Sequence, residues 1–323
     1  MALALCAVLV VSGVPAKDAA ENAPTFPSRA VHLIVPVPPG SNPDVRARHI
    51  AQKLSEEWGH PVIVQNKAGA SGVIAIEHVI RSAPDGHTLL MAHLGVLALL
   101  PHMRRVSFDP LKDLVPVTLV AAGPPVLVLH PAVPVGSLKE LIEYAKANPG
   151  KLNAASGGEG TPSHVALLLF NEATGLNITH VPYKGVGTQA TADLLGGQVQ
   201  AMFDFTNIVG PHIKAGRMKP IAVTGETRLA VLPDVPTFQE LGYPALKMTS
   251  WQGITVAAGT PPEVVSKLNA ALVKVLQSPD VRDGIVSTGA EVGGNSPEEF
   301  SAFIRAEHAR WGKVIREAGI RLD

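Results

Sequence analysis

An α/β fold in two lobes is what this sequence predicts, and three observations predict it. Strand-like apolar runs alternate with amphipathic helical patterns from Val31 onward. The same alternation starts afresh in the middle of the chain. Two extended segments, "LVPVTLVAA" near Leu114 to Ala122 and "MTSWQGITV" near Met248 to Val256, flank that middle set and are placed to cross between lobes.

The elements follow in order. A strand at Val31 to Val35 runs into the loop "PPGSNPD", and a helix from Asp44 to Trp58 then sets Ala47, Ile50, Ala51, Leu54 and Trp58 on one face. "PVIVQN", a helix over Val73 to Arg81, the turn "APDG" and the run "HTLLMA" continue a pattern that suits a parallel sheet with crossover helices. The middle set comprises "PVLVLH", a helix opened by a capping box at Ser137 and Glu140, "KLNAAS", a helix after Thr161, "ITHVPY", "QVQAMFDF" and "KPIAVTG". The last third is more helical, and its final helix is introduced by Ser296, Pro297 and Glu299. The middle lobe is thus an insertion, with residues 27–115 and 252–323 in one lobe and 120–247 in the other.

The chain has 323 residues, and its 27 basic side chains are balanced by 27 acidic ones. Its Lys and Arg are scattered singly and aromatics make up 4%, so no nucleic-acid partner is expected. The first 16 residues, "MALALCAVLVVSGVPA", read as a secretory signal peptide. The apolar stretch falls short of the roughly 20 residues of a membrane span. Cys6, the one cysteine, lies inside that leader, so the mature chain has no disulfide framework and no cysteine zinc site. A periplasmic location fits.

Several motifs point to chemistry that the rest of the chain does not support. "GVGTQA" fits a loose dinucleotide pattern through Gly185 and Gly187, with Asp204 following at a strand end; this is the alternative reading, an oxidoreductase. The preceding strand is short, and the helix after it is barely two turns. None of the 12 histidines sits in a zinc-protease pattern, and no glycine-flanked serine elbow occurs. Ser156 and His164 are the nearest pairing, without an orienting acid. No catalytic residue, metal or cofactor is expected, and the chain is read as a non-enzyme.

Two loops remain, "PPGSNPD" and "SGGEGTPSH", each placing glycine and small polar residues where a strand yields to a helix. Free N–H groups at a helix start, backed by the positive end of its dipole, suit an anion. These loops nominate Pro39, Gly40, Ser41 and Asn42 in the first, and Ser156, Gly158, Thr161 and His164 in the second. Asp44 is assigned to capping the helix or orienting the first loop. His93, just past a strand end, and Tyr183 are further candidates.

Over Phe26 to Asp323 the sequence resembles the Bug-type extracytoplasmic solute receptors of tripartite tricarboxylate transport systems. The matching stretches include "SRAVHLIVPVPPGSNPDVRARHIAQKL", "PVIVQNKAGASGVIA", "APDGHTLLM", "SGGEGTPSHVALLLF", "HVPYKGVG", "DLLGGQVQAMFD", "LPDVPTFQELGYP" and "EEFSAFIRAEHARWGKVIREAGI". The resemblance implies a two-lobed periplasmic binding protein, type II-like, with the two crossing segments as hinge. It implies a small carboxylate ligand held between the lobes, a membrane permease as partner and a monomeric receptor. It also places Asp204 at the cleft. Ser41 stands where the family usually has a second glycine, Val37 replaces a usual Phe, and Leu168 replaces a common acid, so the ligand's identity does not carry over.

Overall fold

The computed structural model describes residues 26–184 and 188–322. The expected signal peptide, and Gly185 and Gly187, lie outside the described residues.

Two sheets organise the chain. The first has six strands in the order β11-β4-β10-β3-β1-β2: β1 (Val31–Val35), β2 (Val62–Asn66), β3 (Thr88–His93), β4 (Leu114–Gly123), β10 (Ser250–Ala257) and β11 (Glu291–Val292). Only β2-β1-β3 is parallel; β10 runs antiparallel to both β3 and β4, so the sheet is mixed rather than parallel as expected. The second sheet, in the order β7-β6-β8-β5-β9, holds β5 (Val126–Leu129), β6 (Asn153–Ser156), β7 (Thr179–Pro182), β8 (Ala201–Asp204) and β9 (Lys219–Val223). All five come from the middle of the chain, and β5 is antiparallel to both its neighbours. Together the sheets make the two-lobed α/β fold.

The helices that position the cleft are α1 (Asn42–Trp58) and α2 (Val73–Ile80) on the first sheet. On the second sheet they are α4 (Leu138–Ala147), α5 (Pro162–Thr174), α6 (Thr188–Leu195) and α7 (Thr206–Lys214). A π-helical turn over Gly95–Leu99 runs into the short α3 (Leu100–Met103). Helix α1 buries Ala47, Ile50, Ala51 and Leu54 against the first sheet and ends at Gly59, whose φ of 64° is the left-handed conformation a glycine stop supplies. The C-terminal helices are α8 (Pro262–Gln277), α9 (Pro279–Val286) and α10 (Pro297–Glu317). Helices α1, α8 and α9 share one apolar cluster with the first sheet. The other face is covered by α10, opened by the Ser296–Glu299 capping box. Buried Glu307 on α10 accepts from the indole N–H groups of Trp251 and Trp311, at 3.2 and 3.1 Å. At Ser137 only half of the expected box forms: Ser137 accepts from the Glu140 N–H, while the Glu140 carboxylate accepts from Gly136 rather than from the cap residue.

The chain passes between the sheets at two adjacent places. Strand β4 stays in the first sheet as far as Gly123, which pairs with Ser250, so the crossing lies beyond the expected edge at 115–120. Buried Thr224 ties the two passages together, its hydroxyl placed 3.0 Å from the Pro125 carbonyl and 2.7 Å from that of Met248.

Candidate functional site

Helices α1 and α5 begin at the same cavity from opposite sheets. Each has proline in its first turn and a cap residue, Ser41 or Thr161, whose side chain makes no capping bond. Proline has no N–H to leave unsatisfied there. Among the described residues the N–H groups of Asn42 and Asp44 on α1, and of Ser163 and His164 on α5, have no hydrogen-bond partner. Asn42, Pro43, Pro162 and Ser163 line one cavity, together with Val37, Ser41, His93, Gly157, Thr161, Phe205, Ser250 and Gln252. Its lining carries no acid.

The first loop is set by Asp44. Its Oδ2 accepts from the Gly40 N–H at 2.8 Å, its Oδ1 accepts from the Asn66 amide at 2.8 Å, and Arg48 adds an ion pair at 3.0 Å. Burial would raise the Asp44 pKa, but these hydrogen bonds outweigh it and hold the carboxyl below its ordinary value. Asp44 therefore orients the loop. The Ser41 hydroxyl donates to the Pro38 carbonyl at 2.6 Å, so neither it nor the Gly40 N–H is free for an anion, contrary to expectation. Pro39 and Gly40 are exposed outside the cavity.

The second loop is held by two histidines. His164 Nδ1 accepts from the Gly160 N–H at 3.1 Å, and its ring stacks on that of His180 with centroids 4.1 Å apart. His180 Nε2 lies 2.5 Å from the hydroxyl of buried Ser156, which in turn accepts from the Gly158 N–H. Burial pushes the His164 pKa down to about 4, with the neighbouring His180 adding to it. Ser156 and His164 thus shape the loop from beneath. Thr161 lines the cavity, with its hydroxyl donating to the Gly158 carbonyl at 2.6 Å.

His93, at the end of β3, is buried, and burial pushes its pKa down to about 4. Its Nδ1 accepts from the Gly95 N–H at 3.1 Å, which fixes the neutral tautomer with its proton on Nε2, a donor for the cavity. A Cβ on Gly95 would come within about 3 Å of both His93 and Pro162 of α5, so glycine allows the close approach there.

A second, roomier cavity of about 310 Å³ adjoins the first, sharing Val37, His93, Gly157 and Thr161. It adds Gly158, Tyr183, Lys184 and the loop 68–72, where Ala70 and Ser71 adopt φ of 45° and 55°. Tyr183 donates to Asp193 at 2.6 Å, and burial followed by that bond pushes its pKa up to about 12. Asp204 lines neither cavity: it is wholly buried behind Phe205, with Oδ1 accepting from the Phe205 N–H at 2.8 Å and Oδ2 unpartnered. Burial pushes its pKa up to about 7.

Six of the nominated residues thus meet at the cavities: Ser41, Asn42, Gly158, His93, Thr161 and Tyr183. The other six, Pro39, Gly40, Asp44, Ser156, His164 and Asp204, lie behind or beside them. Sequence reasoning missed Ser163, Phe205, Ser250 and Gln252. For Gln252 a signal existed, a long polar side chain inside the apolar run of β10, where burial demands a hydrogen-bond partner. Among the described residues no cluster of three or more His, Cys, Asp or Glu is disposed to hold a metal.

Comparison with known proteins follows the same lines. A family model described as "Tripartite tricarboxylate transporter family receptor" matches residues 46–320. "Protein BugT" of Bordetella pertussis is 39% identical over 306 residues, covering 93% of each chain. The structure of periplasmic binding protein BugD superposes with a TM-score of 0.87 at 34% identity, covering 92% of this chain and 99% of that one. The structure of R. palustris Rpa4515 with adipate matches at 0.87 and 36%, with the same coverage. The oxidoreductase alternative finds no support among them.

Proposed function

Since the chain belongs to the tripartite tricarboxylate transporter family of receptors and is a solute-binding receptor, we propose that it captures a small organic carboxylate between its lobes and delivers it to a membrane permease, without catalysing a reaction. The observation that carries this reading is the convergence of two uncapped helix starts on one acid-free cavity. Four unpartnered N–H groups and the positive ends of two helix dipoles suit a carboxylate at that point. Each dipole contributes about 0.3 to 1 kcal/mol, up to about 2 when partly buried. A micromolar affinity needs about 8 kcal/mol. Several charge-assisted hydrogen bonds and closure of the second lobe supply the remainder. Adipate bound to the relative Rpa4515 is such a ligand.

In this reading the protein works in the periplasm as a monomer. Among the described residues no helix is long and apolar enough to cross a membrane. The lobes turn on the paired passages tied by Thr224, one lobe formed by residues near 27–123 and 250–323 and the other by those between them. Pro39, Gly40, Asp44, Ser156, His164 and Asp204 serve the site indirectly, by shaping its loops.

A thermal-shift screen tests the proposal. A carboxylate at about 100 times its dissociation constant adds roughly 2.7 kcal/mol to stability, whereas its neutral amide analogue leaves the melting temperature unchanged. Equal shifts with acid and amide, or none with any carboxylate, would overturn it.

A further inference from the structure

We infer that the receptor carries a docking face away from its cleft, a basic cavity between α3 and the end of α10, which takes an acidic segment of the permease. This rests on the receptor reading above. The cavity holds about 490 Å³ and is rimmed by Arg104 and Arg105, just past α3, and by Arg316 and Arg321, in and beyond the last turn of α10. Buried Met103, Ile315 and Ile320 also line it.

The chain as a whole has 27 basic and 27 acidic side chains, yet no acid lines this cavity. Arg29, Arg48, Arg81, Arg228 and Arg310 pair with carboxylates elsewhere; among the described residues none of the four rim arginines does. Glu317, next to Arg316 in sequence, faces Lys313 at 3.8 Å. Arg104 donates to a backbone carbonyl, that of Ala70, at 3.3 Å. Four like charges around one concavity add their fields, and an acidic guest relieves them. Guanidinium groups hold carboxylates through paired N–H donors. The volume far exceeds one carboxylate, so the guest brings several acidic groups on one chain. Among the described residues the large apolar side chains exposed on the surface lie outside this cavity, so it lacks the anchors of a membrane-seated face.

Position selects the permease as the guest. Leu322 follows Arg321, and its N–H donates to the Met103 carbonyl at 2.9 Å. Leu322 and Leu100 both meet Gly160 of the second loop, in the other lobe: a Cβ there would lie 3.5 Å from Leu322 and 2.7 Å from Leu100. Arg104, through Ala70, holds the loop 68–72 that lines the second cavity of the cleft. The basic cavity is therefore backed by a contact between the lobes and joined to a cleft loop, so movement of one lobe on the other alters its walls. A partner that must distinguish a loaded receptor from an empty one gains by docking here, and such coupling is reciprocal.

The test is fluorescence anisotropy of labelled hexaglutamate on the full chain at low ionic strength, first without ligand. Wild type should bind the peptide, and Arg316→Glu with Arg321→Glu should weaken it at least about tenfold, while Lys139→Glu with Lys146→Glu on α4 leaves it within about twofold. Should the charge reversal fail to fold, Arg316→Gln with Arg321→Gln decides, with a loss of at least about threefold. Adipate, or the screened carboxylate with the largest thermal shift, should tighten the peptide on wild type at least about threefold. Absence of peptide binding, equal losses in both double variants, or an affinity indifferent to the carboxylate overturns the docking face and leaves the receptor reading standing. Displacement of the peptide by inorganic phosphate at an equal concentration of charge assigns the cavity to a small anion. Retention on phosphatidylglycerol vesicles that the Arg316 and Arg321 substitutions abolish assigns it to a lipid surface, and either result overturns the inference. Failure of every carboxylate to raise the melting temperature overturns the receptor reading, and the permease as guest with it, whatever the peptide does.

Discussion

Asn42 and Asn207 meet across the cleft: the amide nitrogen of Asn42, in the first turn of α1, donates to the side-chain oxygen of Asn207 on α7 at 2.8 Å. One helix packs on the first sheet and the other on the second, so parting of the two lobes would break this bond. Asn207→Ala should therefore speed ligand release and weaken affinity about three- to tenfold, the equivalent of one ordinary hydrogen bond. Stopped-flow dissociation and small-angle scattering check this. An unchanged off-rate, with the same compaction on binding as wild type, would show that the pair does not stabilise closure.

Asp44→Asn should cost about 1 to 3 kcal/mol at pH 7, because the carboxylate accepts from Gly40, Asn66 and Arg48 in a nearly buried position. Its folded pKa is depressed, so its contribution is present above the unfolded value of about 3.9 and is lost as pH falls through the lower folded value. Urea denaturation at pH 7 and at pH 3 should show a gap between wild type and variant that narrows in acid.

Asp204 behaves in the opposite sense. With its pKa raised to about 7, the protonated form stabilises the fold fully below about pH 4, and that contribution is lost as pH rises through 7. Asp204→Asn keeps the acceptor for the Phe205 N–H and should melt higher than wild type at pH 8, by at least about 1 kcal/mol, and match it near pH 4. A variant less stable at pH 8 would mean that the ionised carboxylate has a partner in solution.

His93→Phe should weaken carboxylate binding about five- to tenfold by removing the Nε2 donor, with His93→Gln recovering part of it. Because its folded pKa lies near 4, the ring stays neutral and ligand affinity should not follow its titration between pH 6 and 8. The stability it contributes is present above about 6.5 and is lost as pH falls through 4. Calorimetry across this range, on wild type and both variants, measures both effects.

The alternation of strand and helix and the two helix starts were legible because they rest on local rules. Apolar residues at helical or alternating spacing, Pro43 and Pro162 in the first turns and Gly59 past the end of α1 mark their elements wherever the chain later goes. Long-range pairing was not legible. Nothing local says that β10 runs antiparallel between β3 and β4, because "SWQGITVA" would suit either direction.

The sequence by itself determined which loops meet helix starts; the tertiary structure decided which groups in them are free. Gly40 and Ser41 look available in "PPGSNPD", yet Asp44 takes one N–H and the Pro38 carbonyl takes the hydroxyl. Asp204 stands at a strand end beside the cleft but is sealed behind Phe205, while Arg46 and Gln252, separated by 206 positions, are brought to a 2.9 Å contact. Hydrogen-bond satisfaction depends on neighbours that only packing supplies, so a polar residue's role is settled by the partners it finds after the two sheets close on each other.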